Sequence, residues 1–316
     1  MRQPRLTDGP CPVCGSARRR LMFRREDLVG GVSGEFSMVR CLDCDTAYLN
    51  PRPASNNDLV ALYPPQYDQF TKPIAEETTA IRRLERSYGL QKRFALLKRR
   101  LPRGGRLLDI GCATGDFAYH VSRQPAWEAE CTEPNPGAAA IARERHGLKV
   151  FQGFIEDLDI AAGRYDAVTL WNVFEHMPSP SMALRAIHRA LRPHGWLVLH
   201  TPHLDSLEAR LFGKWWIGYE VPRHLVLFTR ASLCALVEDH GFRVERSRAV
   251  YGSYAAFMSS VRLWALGHTR AGNPTINLLD KSIVAVPLKI LLAPYFALAD
   301  RTLWSTFTTL IAERRA

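Results

Sequence analysis

Four cysteines stand in two pairs, Cys11-Pro-Val-Cys14 and Cys41-Leu-Asp-Cys44, with 26 residues between the pairs. Each C-x-x-C turn can present two thiolates, and two such turns complete a tetrahedral zinc site. All four positions would be filled by protein, so the zinc is expected to be structural. A second chemical stretch is Arg106–Phe117, RLLDIGCATGDF. Asp109 closes an apolar run, and Gly111 and Gly115 allow a sharp turn with close approach of a ligand. The pattern Asp-x-Gly-x-x-x-Gly, with Ala113 in the middle slot, departs from the G-x-G-x-x-G of dinucleotide sites. A carboxylate aimed into the turn repels a pyrophosphate and suits the amino group of a cationic cofactor. Glu133 lies 22 residues after Gly111, a spacing at which a strand-end carboxylate can accept both ribose hydroxyls of an adenosine cofactor. His176, His203 and His224 are candidate general bases, since an unperturbed imidazole has a pKa of about 6.5.

These residues need a parallel sheet to gather them. Leu107, Leu108 and Ile110 suit a strand buried on both faces. Further strands are expected at Trp127–Thr132, Leu148–Gln152, Arg164–Trp171, Trp196–His200, Phe242–Ala249 and Leu303–Ile311, with helices at 117–122, 138–145, 181–191 and 232–240 between them. Arg19–Phe23 and Phe36–Arg40 would form a small ribbon around the metal. Prolines 64, 65 and 73 and the polar run 76–79 read as a linker. Ile81–Leu101 reads as a helix with Leu84, Tyr88, Phe94, Leu97 and Leu101 in a partial apolar stripe.

LDIGCATG resembles the first motif of class I S-adenosylmethionine (SAM)-dependent methyltransferases. The C-x-x-C pairs followed by Asn50-Pro-Arg-Pro53 resemble a bacterial subgroup of that family with an amino-terminal zinc ribbon, and the likeness runs to about residue 245. The resemblance implies an α/β, Rossmann-like fold: a mostly parallel seven-stranded sheet, helices on both faces and the last strand antiparallel, plus the ribbon. It implies a ribbon at 8–50, a linker and basic helix at 51–104 and a catalytic domain at 105–316, with substrate-side insertions at 203–228 and 251–300. It implies that Asp109, Gly111, Cys112, Ala113, Gly115 and Glu133 hold SAM. In GFIEDL, Phe154 and the backbone near Ile155 would hold adenine, with Glu156 or Asp157 as an open choice. Asn172-Val-Phe-Glu-His-Met-Pro178 resembles the family's E-H motif; Trp171 and Asn172 would touch the cofactor, and Glu175 and His176 would lie near the methyl group or just behind it.

The 316 residues carry a net charge of +11 and are 47% hydrophobic. That excludes gross disorder and permits an acidic partner. MRQPRLTDGP lacks the apolar core of a signal peptide, so a cytoplasmic protein is expected. Cys112, Cys131 and Cys234 read as buried thiols. Ten Lys/Arg against one acid between Arg82 and Arg106 could grip nucleic acid, though a solvated face explains them as well. Phe212–His224 offers Trp215, Trp216 and Tyr219 as apolar walls and Glu220, Arg223 and His224 as charged groups for an acceptor. Ser282–Ala299 carries one charge, Lys289, with Pro287 and Pro294 expected to break it; packing or a dimer interface is favoured there over a membrane surface. The leading reading is methyl transfer to a small-molecule, sugar or lipid-precursor acceptor. An RNA methyltransferase, a non-catalytic SAM- or partner-binding module and a nicotinamide oxidoreductase follow in that order.

Overall fold

The computed structural model describes residues 4–63, 73–77, 79–250, 253–268, 282–299, 302 and 304–316. The linker prolines Pro64 and Pro65, Leu303 and residues 269–281 of the expected insertion lie outside the described residues. The chain forms two compact units. One comprises Met1–Leu62, Pro202–Leu233 and Ser247–Thr309; the other comprises Tyr63–Thr201, Cys234–Arg246 and Leu310–Ala316.

In the first unit β1 (Leu6–Thr7) pairs with β5 (Arg52–Pro53). β2 (Arg19–Glu26), β3 (Glu35–Cys41) and β4 (Ala47–Leu49) form an antiparallel ribbon. Its fourth strand comes from far along the chain: β11 (Val226–Leu227) pairs with β4, Val226 opposite Tyr48. α1 (Asn56–Val60) is capped by Ser55, whose side chain accepts from the Asp58 N–H.

The second unit is built on a seven-stranded sheet. Helix α2 (Ala80–Arg100) precedes β6 (Gly105–Ile110), α3 (Asp116–Ser122), β7 (Trp127–Glu133), α4 (Pro136–His146), β8 (Lys149–Gln152), β9 (Tyr165–Trp171), α5 (Pro180–Ala190) and β10 (Leu191–Pro202). Later in the chain come α6 (Leu207–Phe212), α7 (Arg230–Asp239), β12 (Phe242–Arg248), α8 (Ser253–His268), α9 (Ser282–Ala299) and β13 (Phe307–Arg314), of which α6, α8 and α9 belong to the first unit. The strand order is β12-β13-β10-β9-β6-β7-β8, mostly parallel with the last strand antiparallel. The order reverses between β6 and β9, where open α/β sheets bind ligands beyond the strands' carboxyl ends. Continuous apolar runs cause the burial: Leu107, Leu108, Ala167, Val168, Leu170, Leu197, Val198 and Leu199 are all inaccessible. α5 buries Ala183, Leu184, Ile187 and Ala190 along one stripe, as helical periodicity requires.

Several expectations shift. Among the described side chains of α2 only Phe94 and Leu97, with the adjoining Leu101, are buried, while Leu84 and Tyr88 are exposed. The cations of α2 are partly used internally: Arg86 pairs with Glu77 and Asp116, Arg93 lies over the Trp171 ring at 5.0 Å, and Arg100 pairs with Glu245 at 2.9 Å. Cys131 is buried, but Cys112 and Cys234 are half-exposed. Pro287 and Pro294 do not break α9. Both are exposed, and the helix continues through each although a proline supplies no N–H to it.

Trp216 and Tyr219 are core residues, not walls. Trp216 is fully buried, its indole N–H donates to Thr306 Oγ1 at 2.9 Å, and Tyr219 packs edge-on against it. Arg223 is buried too. Its guanidinium makes a two-pronged pair with Asp27 at 2.7 Å on each prong, and its Nε donates to Glu220 at 3.0 Å. Burial alone would raise the Asp27 carboxyl, but the Arg223 hydrogen bonds and charge, with the amides of Gly30 and Val32, hold it below the usual range. Losing one partner of such a pair strands a buried charge. Arg223→Met is therefore expected to destabilise this unit by about 3–5 kcal/mol, measured by denaturant unfolding.

Candidate active site

The turn after β6 is shaped by backbone geometry. Gly111 has φ +66° and Gly115 has φ +84°. A Cβ on Gly111 would lie 2.7 Å from the Val173 side chain, and one on Gly115 would lie 2.8 Å from Leu148 and 2.9 Å from Ala142. Ala113 also sits in the left-handed region, at φ +49°, the conformation that favours glycine there. The N–H groups of Gly111 and Cys112 both donate to the Thr132 carbonyl, at 2.8 and 3.1 Å, which ties the turn to β7.

Glu133 ends β7 and is buried. Its Oε2 accepts the Ala113 N–H and its Oε1 the Asn135 N–H, both at 2.8 Å. Burial pushes the Glu133 carboxyl up to about 7, against the pull of those two amides. Asp109 is buried at the end of β6 and accepts the Thr169 hydroxyl at 2.6 Å. Burial raises it to about 7 as well, with Thr169 and the Arg93 charge opposing.

The neighbouring strand ends complete this edge. Gly153 N–H donates to the Glu133 carbonyl at 3.2 Å. Phe154 follows half-buried, Ile155 is buried, Glu156 is half-buried and Asp157 is exposed. Glu156 Oε2 is buried without a hydrogen-bond partner among the described residues, and burial raises its pKa. Trp171 ends β9 with its ring edge-on to Phe117 at 5.3 Å. Asn172 follows at φ +57°, donates its N–H to the His200 carbonyl at 2.8 Å and keeps a buried Oδ1 with no partner among the described residues. Glu175 is buried and accepts the Thr201 hydroxyl at 3.0 Å; His176 Nδ1 lies 2.9 Å from the Tyr63 hydroxyl.

The second unit thus brings together Asp109, Gly111, Cys112, Ala113, Gly115 and Glu133, with Phe154, Ile155, Trp171, Asn172 and His176 on the adjoining strand ends. His203 and His224 belong to the first unit. His203 Nε2 must donate to the Ser305 carbonyl at 2.9 Å, which leaves a bare Nδ1 that is buried and unpartnered among the described residues. Burial lowers its pKa to about 4. His224 donates its Nδ1–H to the Gly218 carbonyl at 2.7 Å, and burial lowers its pKa. Also in that unit, the sulfurs of Cys11, Cys14, Cys41 and Cys44 lie within 4.8 Å of one another and could hold a metal ion.

Sequence reasoning missed Thr169, Arg93, Thr201 and Tyr63. The one available signal is Thr169, a lone hydroxyl in the apolar run Ala167–Leu170.

Residues 82–247, more than half of the chain, match a family described as a methyltransferase domain. A ubiquinone biosynthesis O-methyltransferase of Ruegeria pomeroyi is 33% identical over 199 residues, covering 57% of this chain and 75% of the relative. The enzyme of that name from Aeromonas salmonicida is 27% identical over 171 residues, covering 51% and 71%. A structure from Galdieria sulphuraria, described as a candidate sarcosine dimethylglycine methyltransferase, shares the fold with a TM-score of 0.50 at 14% identity, over 78% of this chain and 91% of that one. The chain belongs to the methyltransferase-domain family, as a SAM-dependent enzyme.

The turn makes a paired prediction. Gly115→Ala adds a clash to a left-handed backbone and should cost more than about 2 kcal/mol. Ala113→Gly relieves left-handed strain but frees the unfolded chain, so the two effects of about 1 kcal/mol nearly cancel. Urea unfolding of both variants checks the contrast.

Proposed function

We propose that this enzyme methylates a small-molecule acceptor at a nucleophilic oxygen. The relatives' O-methyltransferase names support the acceptor class. The observation that carries the cofactor assignment is the buried Glu133 carboxylate: each oxygen accepts one backbone N–H and retains a lone pair for a ribose hydroxyl. In this reading the turn Gly111–Gly115 lies against the cofactor without a side chain in the way. Asp109 supplies negative charge behind the amino group. Phe154, Ile155 and Trp171 flank the adenosine and methionine parts. Asn172 Oδ1 and Glu156 Oε2 are buried acceptors without partners among the described residues, fitted to cofactor N–H groups.

SAM supplies an electrophilic methyl group on a sulfonium, and the reaction is an in-line displacement. The protein's task is mainly alignment and exclusion of water, worth about 7–11 kcal/mol. His176 is the proposed base. With its proton on Nδ1, donated to the Tyr63 oxygen, Nε2 is the nitrogen able to take the acceptor's proton. His203 and His224 stand as the other candidates, and His203 is neutral above about pH 4.

We also propose that the four cysteines bind a structural Zn²⁺ and make residues 8–50 a zinc ribbon. The 3.6 Å and 3.5 Å sulfur separations of Cys11–Cys44 and Cys14–Cys41 approach the edge of about 3.8 Å set by a tetrahedron with Zn–S bonds of about 2.3 Å. One equivalent of zinc is expected by elemental analysis. Its removal by chelator should lower the melting temperature.

The acceptor test uses SAM with a radioactive methyl group, incubated with the enzyme and a cell extract. Label should enter the small-molecule fraction; label in nuclease-sensitive material would overturn the proposal. His176→Ala should lower kcat by about 10²-fold or more. If alanine at His176, His203 and His224 each leaves turnover within a fewfold of wild type, the enzyme uses no histidine base. Asp109 and Glu133 have raised pKa values, so they hold protons below about pH 7. SAM affinity should therefore rise as pH increases from 6 to 8, measured by calorimetry, and Glu133→Gln should flatten that rise.

A further inference from the structure

α9 shows two different sides. Phe296 and Ala299 are buried, and the Phe296 ring meets Tyr254 at 5.4 Å and Phe257 at 5.6 Å on α8. The opposite side carries Pro287, Ile290, Leu291, Pro294, Ala297 and Leu298, all exposed. Their spacing of three and four residues makes one stripe along the helix, and no residue in it is polar. Ile290 is 70% exposed and Leu291 75%. An amphipathic helix lying alone on a membrane needs a polar face. α9 needs none, because its other side packs on protein.

The elements around it continue the character. α8 packs against α9, α6 and the helical turns 213–215 and 217–219. Leu207 and Leu211 on α6, Trp264 on α8 and Trp304 after α9 are exposed apolar groups. Trp304 stacks on Tyr295 at 6.3 Å. Tryptophan favours the boundary between hydrocarbon and water. Among the described residues of α6, the 213–215 turn and α8, the exposed Arg and Lys side chains are Arg210, Lys214 and Arg262. Glu208 is the sole acid in α6, the 213–215 turn, α8 and α9; it is buried and accepts the Thr306 hydroxyl.

We propose that this face, centred on α9, docks on the surface of an anionic lipid bilayer. The apolar stripe and the tryptophans enter the headgroup boundary, and the cations meet lipid phosphates. A second copy of the chain fits less well. An isologous dimer would bring the same cations of both copies together, with no exposed acid on these elements to receive them. No helix among the described residues is long and apolar enough to cross a membrane, so the contact is peripheral. The inference stands apart from the identity of the acceptor.

The test is co-sedimentation of the full chain with phosphatidylcholine vesicles, with and without phosphatidylglycerol. Binding should be at least about tenfold stronger with the anionic lipid. Tryptophan emission should shift to the blue and be quenched by brominated acyl chains. Ile290→Glu with Leu291→Glu should abolish binding while SAM affinity, read by calorimetry, stays unchanged. Arg210→Gln and Lys214→Gln should each weaken binding about fivefold, the worth of one cation near a charged surface. Absence of vesicle binding overturns the proposal, and so does binding that the double Glu variant retains. A dimer in sedimentation that this variant dissociates, without vesicle binding, assigns the face to a second copy instead.

Discussion

Glu133 holds two loops with one carboxylate. One oxygen takes an amide from the turn after β6 and the other an amide from the turn after β7. A carboxylate taken out of water must find such donors or give up its charge, and here burial still lifts it to about 7. Ala113 in its left-handed conformation aims the amide, Gly111 leaves room for Val173, and Asn135 begins α4 with its side chain accepting from Ala138. The two turns are thus tied together through one carboxylate and two backbone amides.

Asp109 repeats the arrangement one strand away with a side-chain donor. Its partner Thr169 sits directly opposite in the register of β6 and β9. Asp109 ends β6, which borders the point where the strand order reverses, and Glu133 ends β7, its neighbour on the other side. The parallel topology therefore brings two buried carboxyl groups, both raised to about 7, to neighbouring strand ends at one edge of the sheet.

Local features were legible in the sequence. Apolar runs located the strands, glycine spacing located the turn, and Glu133 followed from its distance to Gly111. Pairings across long stretches of chain were not. Thr169 meets Asp109 across 60 residues, Tyr63 meets His176 across 113, and Arg223 meets Asp27 across 196. Nothing in the local pattern of Phe212–His224 separates an acceptor wall from a core. Trp216 and Tyr219 are suitable for either, and the partners Thr306 and Phe23 that make them core lie far off in sequence. α9 was legible as apolar but not as two-sided, because its sides differ only in what packs on them.

The first unit draws on three separated stretches of chain. The ribbon strand β4 is completed by β11, and Asp27 by Arg223, only after nearly two hundred further residues have been made. At about 5–20 residues per second of synthesis, that is a wait of about 10–40 s. Until then β4 lacks its β11 neighbour and Asp27 lacks its Arg223 partner. The four clustered cysteines, by contrast, all lie within the first fifty residues, so the proposed metal site is complete in that stretch's own sequence. The order of synthesis thus separates a part of the unit that can form at once from a part that must be held open for its own later segments.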